Sequence, residues 1–160
     1  MTDSAFRPFD SVLAHDEALA TLRAATDGAD DGELFVERRR SESLVFDDGR
    51  LKSASYDASE GFGLRAVRGE VAGYAHSTEL SIAALKRASE TARLAVGAGG
   101  GTLAEAPRPT NKRLYTDEDP IASASFPVKI ETLREIDAFA RDLDPRVVQV
   151  SASLSSVEWA

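Results

Sequence analysis

Apolar positions alternate between two periods along this chain. A helix is predicted from Asp10, a residue suited to the cap, with Val12, Ala18, Leu19 and Leu22 on its apolar side and Gly28 as its stop. After the turn at 28–32 the period changes to two. Leu34 and Val36 begin an alternating run that ends in Arg38-Arg39-Arg40, and Leu44 to Phe46 forms a second short run. Asp48-Gly49 tolerates the positive φ angles of a type I′ turn and predicts a hairpin, with Leu51 to Tyr56 returning. Phe62, Leu64 and Ala66 alternate next. Arg68-Gly69-Glu70 turns the chain again, and Val71 to His76 comes back. The stretch 28–77 therefore reads as an antiparallel meander of about four or five strands.

Ser81 is placed to cap the clearest helix, over 81–96, where Ile82, Leu85, Ala88, Ser89, Ala92 and Val96 fall on one face. Gly97 to Gly101 ends it. Residues 97–124 form an irregular connector with three prolines and the acidic cluster Asp117, Glu118 and Asp119. Ser125 and Pro127 open a further helix, with Ile130, Leu133, Ile136, Ala140 and Leu143 expected inward. Asp144-Pro145 breaks it. Val148, Val150, Ala152 and Leu154 then share one face of a half-buried strand. Apolar residues continue to Val157 and Trp159 with no polar tail, the pattern of a chain cut in mid-strand at its C-terminus. The expected architecture is α+β, an antiparallel meander sheet packed with about three helices, in one domain over 1–160.

Charge and composition narrow the function classes. The chain has 19 basic and 27 acidic side chains, a net charge of −8, and neither half is basic. Nucleic acid is therefore not an expected partner, since phosphate binding needs concentrated Lys and Arg. No apolar run reaches the roughly 18–20 residues of a membrane span, and the N-terminus lacks the pattern of a secretory signal. With no cysteine there is neither a disulfide framework nor a thiolate zinc site, and a cytoplasmic location is the simplest expectation.

No constellation of side chains forms a self-contained active site. His15 and His76 are the two histidines, and neither has a second histidine one helical turn away, so no zinc motif results. No Gly-x-Ser-x-Gly elbow supports a serine triad. Gly61-Phe62-Gly63-Leu64-Arg65-Ala66 matches a relaxed dinucleotide fingerprint. However, strand-like alternation follows where a helix N-terminus would be required. Arg38, Arg39 and Arg40 alternate faces in a strand and cannot make one anion patch. Trp159 carries a large apolar surface that wants cover.

Longer segments carry a resemblance. Arg40 to Tyr56 (Arg-Ser-Glu-Ser-Leu-Val-Phe-Asp-Asp-Gly-Arg-Leu-Lys-Ser-Ala-Ser-Tyr) and Glu60 to Tyr74 (Glu-Gly-Phe-Gly-Leu-Arg-Ala-Val-Arg-Gly-Glu-Val-Ala-Gly-Tyr) resemble the N-terminal domain of the TldD/PmbA metallopeptidase family. Leu114 to Pro120 and Arg146 to Ser155 resemble its TldD branch. The resemblance implies a zinc peptidase that acts on unfolded peptides with a PmbA/TldE-like subunit, in a family also named modulators of DNA gyrase. The family's HExxxH motif and its cysteine ligand lie downstream of this domain. This sequence has neither, so the resemblance assigns it no catalytic or metal residue and no zinc of its own. Gly61, Gly63, Arg65, Gly69 and Gly73 are the expected peptide- or partner-binding positions, the glycines opening the backbone to strand pairing and Arg65 anchoring a carboxylate. The alternative expectation is a stand-alone interaction module without enzymatic activity.

Overall fold

The alternating runs become four strands. A computed structural model describes residues 6–97 and 119–160. In chain order the elements are α1 (Pro8–Ser11), α2 (His15–Ala25), β1 (Asp31–Asp47), β2 (Arg50–Arg68), β3 (Val71–Ser77), α3 (Ile82–Val96), α4 (Phe126–Leu143) and β4 (Ser151–Trp159). The strands form one antiparallel sheet in the order β3-β2-β1-β4, an α+β arrangement as expected. The chain forms two compact units. Among described residues, one holds 6–38 and 59–97, and the other holds 39–58 and 119–160.

The meander has three strands where the sequence suggested four or five. Arg38 to Ser43 looked like a break because the run is polar, yet the backbone stays extended through it. Leu51 to Tyr56 and Phe62 to Ala66 likewise merge into the single strand β2. Polarity marks which side chains meet water; it does not end a strand whose backbone groups are paired. Asp48 (φ 50°) and Gly49 (φ 75°) make the two-residue turn between β1 and β2 that their sequence predicts.

The unit of 6–38 and 59–97 is built on alternation in β2. Phe62, Leu64 and Ala66 are buried on one face, against Leu80, Ala84, Leu85, Ala88 and Ala92 of the α3 region and Ala18 and Ala25 of α2. Full burial of a leucine such as Leu64 or Leu85 contributes about 1.5–3 kcal/mol. Ser81 caps α3 as expected, its Oγ accepting the Ala84 N–H at 3.1 Å, a contact of about 1 kcal/mol. Alanines on α3 bring it so near to β3 that a Cβ at Gly73 would lie 2.2 Å from the Ala92 carbonyl oxygen. The first predicted helix is corrected: α2 begins at His15, and Asp10 lies in the single turn α1. The chain breaks between them to bury Leu13 completely, with the Leu13 N–H donating to the Pro8 carbonyl at 2.8 Å. Helix α2 then ends at Ala25, ahead of the expected stop at Gly28.

In the other unit, β1 and β4 pair in a register that sets Leu44 opposite Leu154 and Phe46 opposite Ala152. Leu133 and Ile130 of α4 pack on this strip. The inward face of α4 differs from expectation: Ile136 and Leu143 point to solvent, while Lys129 and Asp137 are buried. Lys129 is satisfied by donating to Glu42 at 2.7 Å and to the Ile121 carbonyl at 2.6 Å. Arg141 bonds Asp137 at 2.9 Å and also pairs with Asp48 in the turn. Arg40 pairs with Glu158 and, at 2.7 Å, with Asp119. Hydrogen bonding to Glu158 holds the Arg40 pKa above its ordinary value despite burial. Burial works against the charged form of Asp119, but the Ala122 N–H, the Arg40 guanidinium and the Ile121 N–H outweigh it and set its pKa below the ordinary 3.8. Strand β4 starts at Ser151, so Val148, expected on its buried face, precedes it and is exposed, while Val157 and Trp159 lie within it. Of the predicted connector, 98–118 falls outside the described residues, including Asp117 and Glu118; Gly97 ends α3 with φ 73°.

Two outcomes follow from these contacts. Gly73→Ala should destabilise by about 2–3 kcal/mol, because its Cβ meets backbone that cannot step aside. Gly69→Ala, in open space at φ +56°, should lose only about 1 kcal/mol. Urea unfolding checks the order, and equal losses would contradict the packing at Gly73. Asp119 has a lowered folded pKa, so its stabilisation is complete above the unfolded value near 3.8 and is lost as pH falls through the lower folded one. Asp119→Asn should therefore lower the melting temperature at pH 7 and flatten its fall below pH 4.

Candidate functional site

Because Phe62, Leu64 and Ala66 face the core, Gly63 and Arg65 face the other way. Their partners in the β2–β3 register are His76 and Tyr74. The Tyr74 and His76 rings stack at 5.7 Å with 28° between planes. The tyrosine ring leans over Gly63, where a Cβ would lie 2.7 Å from the Tyr74 hydroxyl. Arg65 reaches Glu33 of β1 at 3.4 Å, a long and exposed pair that leaves the guanidinium open to another acceptor. Phe35, two residues beyond Glu33 on the same face of β1, is 61 % exposed. This face therefore joins three exposed rings to one loosely held arginine, over a strand thinned by glycine.

The five expected positions do not all share one face. Gly63 and Arg65 meet on the outward face. Gly61 sits at the end of the β2–β3 ladder, where a Cβ would be 2.6 Å from the Ser77 carbonyl oxygen. Gly69 lies in the turn with φ +56°, and Gly73 looks inward at α3. Gly63 and Gly73 are both buried, so the missing side chains make room for the Tyr74 ring and the Ala92 carbonyl. Sequence reasoning singled out neither Phe35 nor Tyr74, and weighed His76 only as a metal ligand. The signal was present, since residues two apart in a strand share a face.

Other candidates resolve into local structure. His76 lies within β3, in the returning run that Val71 to His76 predicts. His15 opens α2, with its Nδ1 3.4 Å from an Asp16 carboxylate oxygen and its ring edge-on to Phe9. The three consecutive arginines part company: Arg38 lies over the Phe6 ring at 5.1 Å, Arg39 over Trp159 at 5.2 Å, and Arg40 enters its carboxylate pairs. Among the described residues no group of three His, Cys, Asp or Glu side chains is placed to hold a metal ion. No described helix is long and apolar enough to cross a membrane.

Comparison with known proteins places this fold. Residues 32–96 match the family described as PmbA/TldA metallopeptidase domain 1. The chain is 35 % identical over 132 residues to a metalloprotease TldD homolog of Haemophilus influenzae, covering 80 % of this chain and 27 % of that protein. It is 30 % identical over 141 residues to a metalloprotease TldD homolog of Buchnera aphidicola from Acyrthosiphon pisum, covering 88 % and 29 %. Among solved structures, TldE from Thermococcus kodakarensis superposes with a TM-score of 0.62 at 18 % identity, over 90 % of this chain and 35 % of that one. A Thermotoga maritima protein named as a candidate modulator of a DNA gyrase gives 0.65 at 14 %, over 90 % and 37 %, a likeness of fold. The chain belongs to the TldD/PmbA metallopeptidase family, as its N-terminal domain. It spans less than a third of the length of these curated relatives. Their names imply a metal in the family, and the described residues here offer no ligand set for one.

Proposed function

We propose that this chain is the non-catalytic N-terminal portion of a zinc-dependent metallopeptidase of the TldD type. In this reading it helps shape the channel for unfolded peptides and contacts a PmbA/TldE-like partner. The observation that carries the proposal is the match to TldD metalloprotease homologs over 80 % or more of the chain, in a domain whose described residues assemble no metal-ligand cluster. Zinc belongs to the remainder of the family's polypeptide, and so does peptide hydrolysis.

The contact surface proposed is the outward face of β1, β2 and β3. Tyr74, His76 and Phe35 supply apolar ring surface, and Arg65 supplies a donor fork for a carboxylate. Gly61 and Gly63 keep the middle strand low, while Gly69 and Gly73 shape the hairpin that carries Tyr74 and His76.

Titration of the chain with a PmbA/TldE-like subunit tests both parts. Binding is expected, weakened at least tenfold by Tyr74→Ala and by Arg65→Ala. No turnover of an unfolded peptide is expected from the 160-residue chain with zinc. Turnover under those conditions, or binding indifferent to both substitutions, would overturn the proposal.

A further inference from the structure

From Arg50 to Glu60, eleven consecutive residues of β2 are exposed. The ladder with β3 covers Phe62 to Arg68, so among the described residues this part of β2 has β1 on one side and no strand on the other. Every second residue of such an edge turns its N–H and C=O outward, ready to pair with another extended chain. Proteins commonly blunt an edge of this length with proline, a bulge or a covering loop. Here the sequence Arg50-Leu-Lys-Ser-Ala-Ser-Tyr-Asp-Ala-Ser-Glu60 contains neither proline nor glycine, and its middle is small: Ser53, Ala54, Ser55, Ala58 and Ser59 leave a neighbouring strand free to approach.

Charge selects the neighbour. Basic residues, Arg50 and Lys52, stand at one end of the segment, and acidic residues, Asp57 and Glu60, at the other. Among the described residues no ion pair engages Arg50, Asp57 or Glu60, while Lys52 bonds Asp47 at 2.9 Å. A strand of this polarity complements itself when reversed. Parallel alignment would set Arg50 against Arg50 and Glu60 against Glu60, which like-charge repulsion disfavours.

We infer that the β2 edge pairs antiparallel with the β2 edge of a second copy of this chain, about a twofold axis at Ser55, joining two sheets into one. In this register Arg50 lies opposite Glu60 of the second copy, Lys52 opposite Ala58 and diagonal to Glu60, and Ser53 opposite Asp57. Each charge pair occurs twice by symmetry, as an isologous interface requires. The surface is separate from the ring-bearing face proposed above for the partner subunit.

Sedimentation over a concentration series, with one cross-link, tests the register. The chain has no cysteine, so Ser55→Cys introduces its sole thiol, and directly opposed residues lie within the span of a disulfide. Oxidation should give a covalent dimer of Ser55→Cys. It should give none of Ser53→Cys, whose two copies would stand about 13 Å apart along the strands. The dissociation constant should rise about tenfold in Arg50→Glu and in Glu60→Arg, and return close to the starting value in the double variant. A monomer at every concentration would overturn the inference. So would equal cross-linking at both positions, or association indifferent to the single charge reversals.

Discussion

Pairing of β2 with β3 over Phe62 to Arg68 is the interaction on which the rest depends. It fixes which residues look inward, so Phe62, Leu64 and Ala66 meet α3 while Gly63, Arg65, Tyr74 and His76 look out. A slip of one residue would exchange the two sets and leave three apolar side chains in water. The pairing also carries Gly73 under the Ala92 carbonyl, where only a glycine lets β3 and α3 touch. Where the ladder stops, β2 passes from buried to wholly exposed within two residues.

Strand signals were legible wherever apolar and polar residues alternate or a turn has strict chemistry. Asp48-Gly49, Ser81 and the face of α3 belong to this class, since each rests on local backbone geometry. Strand length was not legible. Arg38 to Ser43 and Tyr56 to Glu60 are polar, and their extension rests on backbone pairing with partners distant in sequence. Orientation of α4 was misread for a related reason. Lys129 and Asp137 looked like solvent positions, but Glu42 and Arg141 hold them inside, and Ile136 and Leu143 are displaced outward. Gly63 and Arg65 were expected as accessible backbone and as a carboxylate anchor, and strand alternation sets them on one face. The rings beside them were not legible, because Phe35 and Tyr74 read from the sequence as ordinary strand residues and only the sheet register brings them to this face.

Ion pairing accounts for much of the buried charge among the described residues. Four little-exposed carboxylates are held by arginine and lysine: Glu158 and Asp119 by Arg40, Glu42 by Lys129, Asp137 by Arg141. Groups held this way stabilise elements and are poor metal ligands, since a cation would have to displace a bonded partner. An acidic chain can therefore be rich in carboxylates while its described residues group no metal-ligand cluster.

Hydrogen exchange along β2 tests the central claim most directly, namely that one strand changes environment at Gly61. Nearly every amide from Phe62 to Arg68 should be protected, being bonded alternately to β1 and β3. Between Leu51 and Glu60, in dilute solution, protected and fast-exchanging amides should alternate, since only the β1 side is paired. Unbroken protection through both stretches, or alternation persisting past Phe62, would contradict the account.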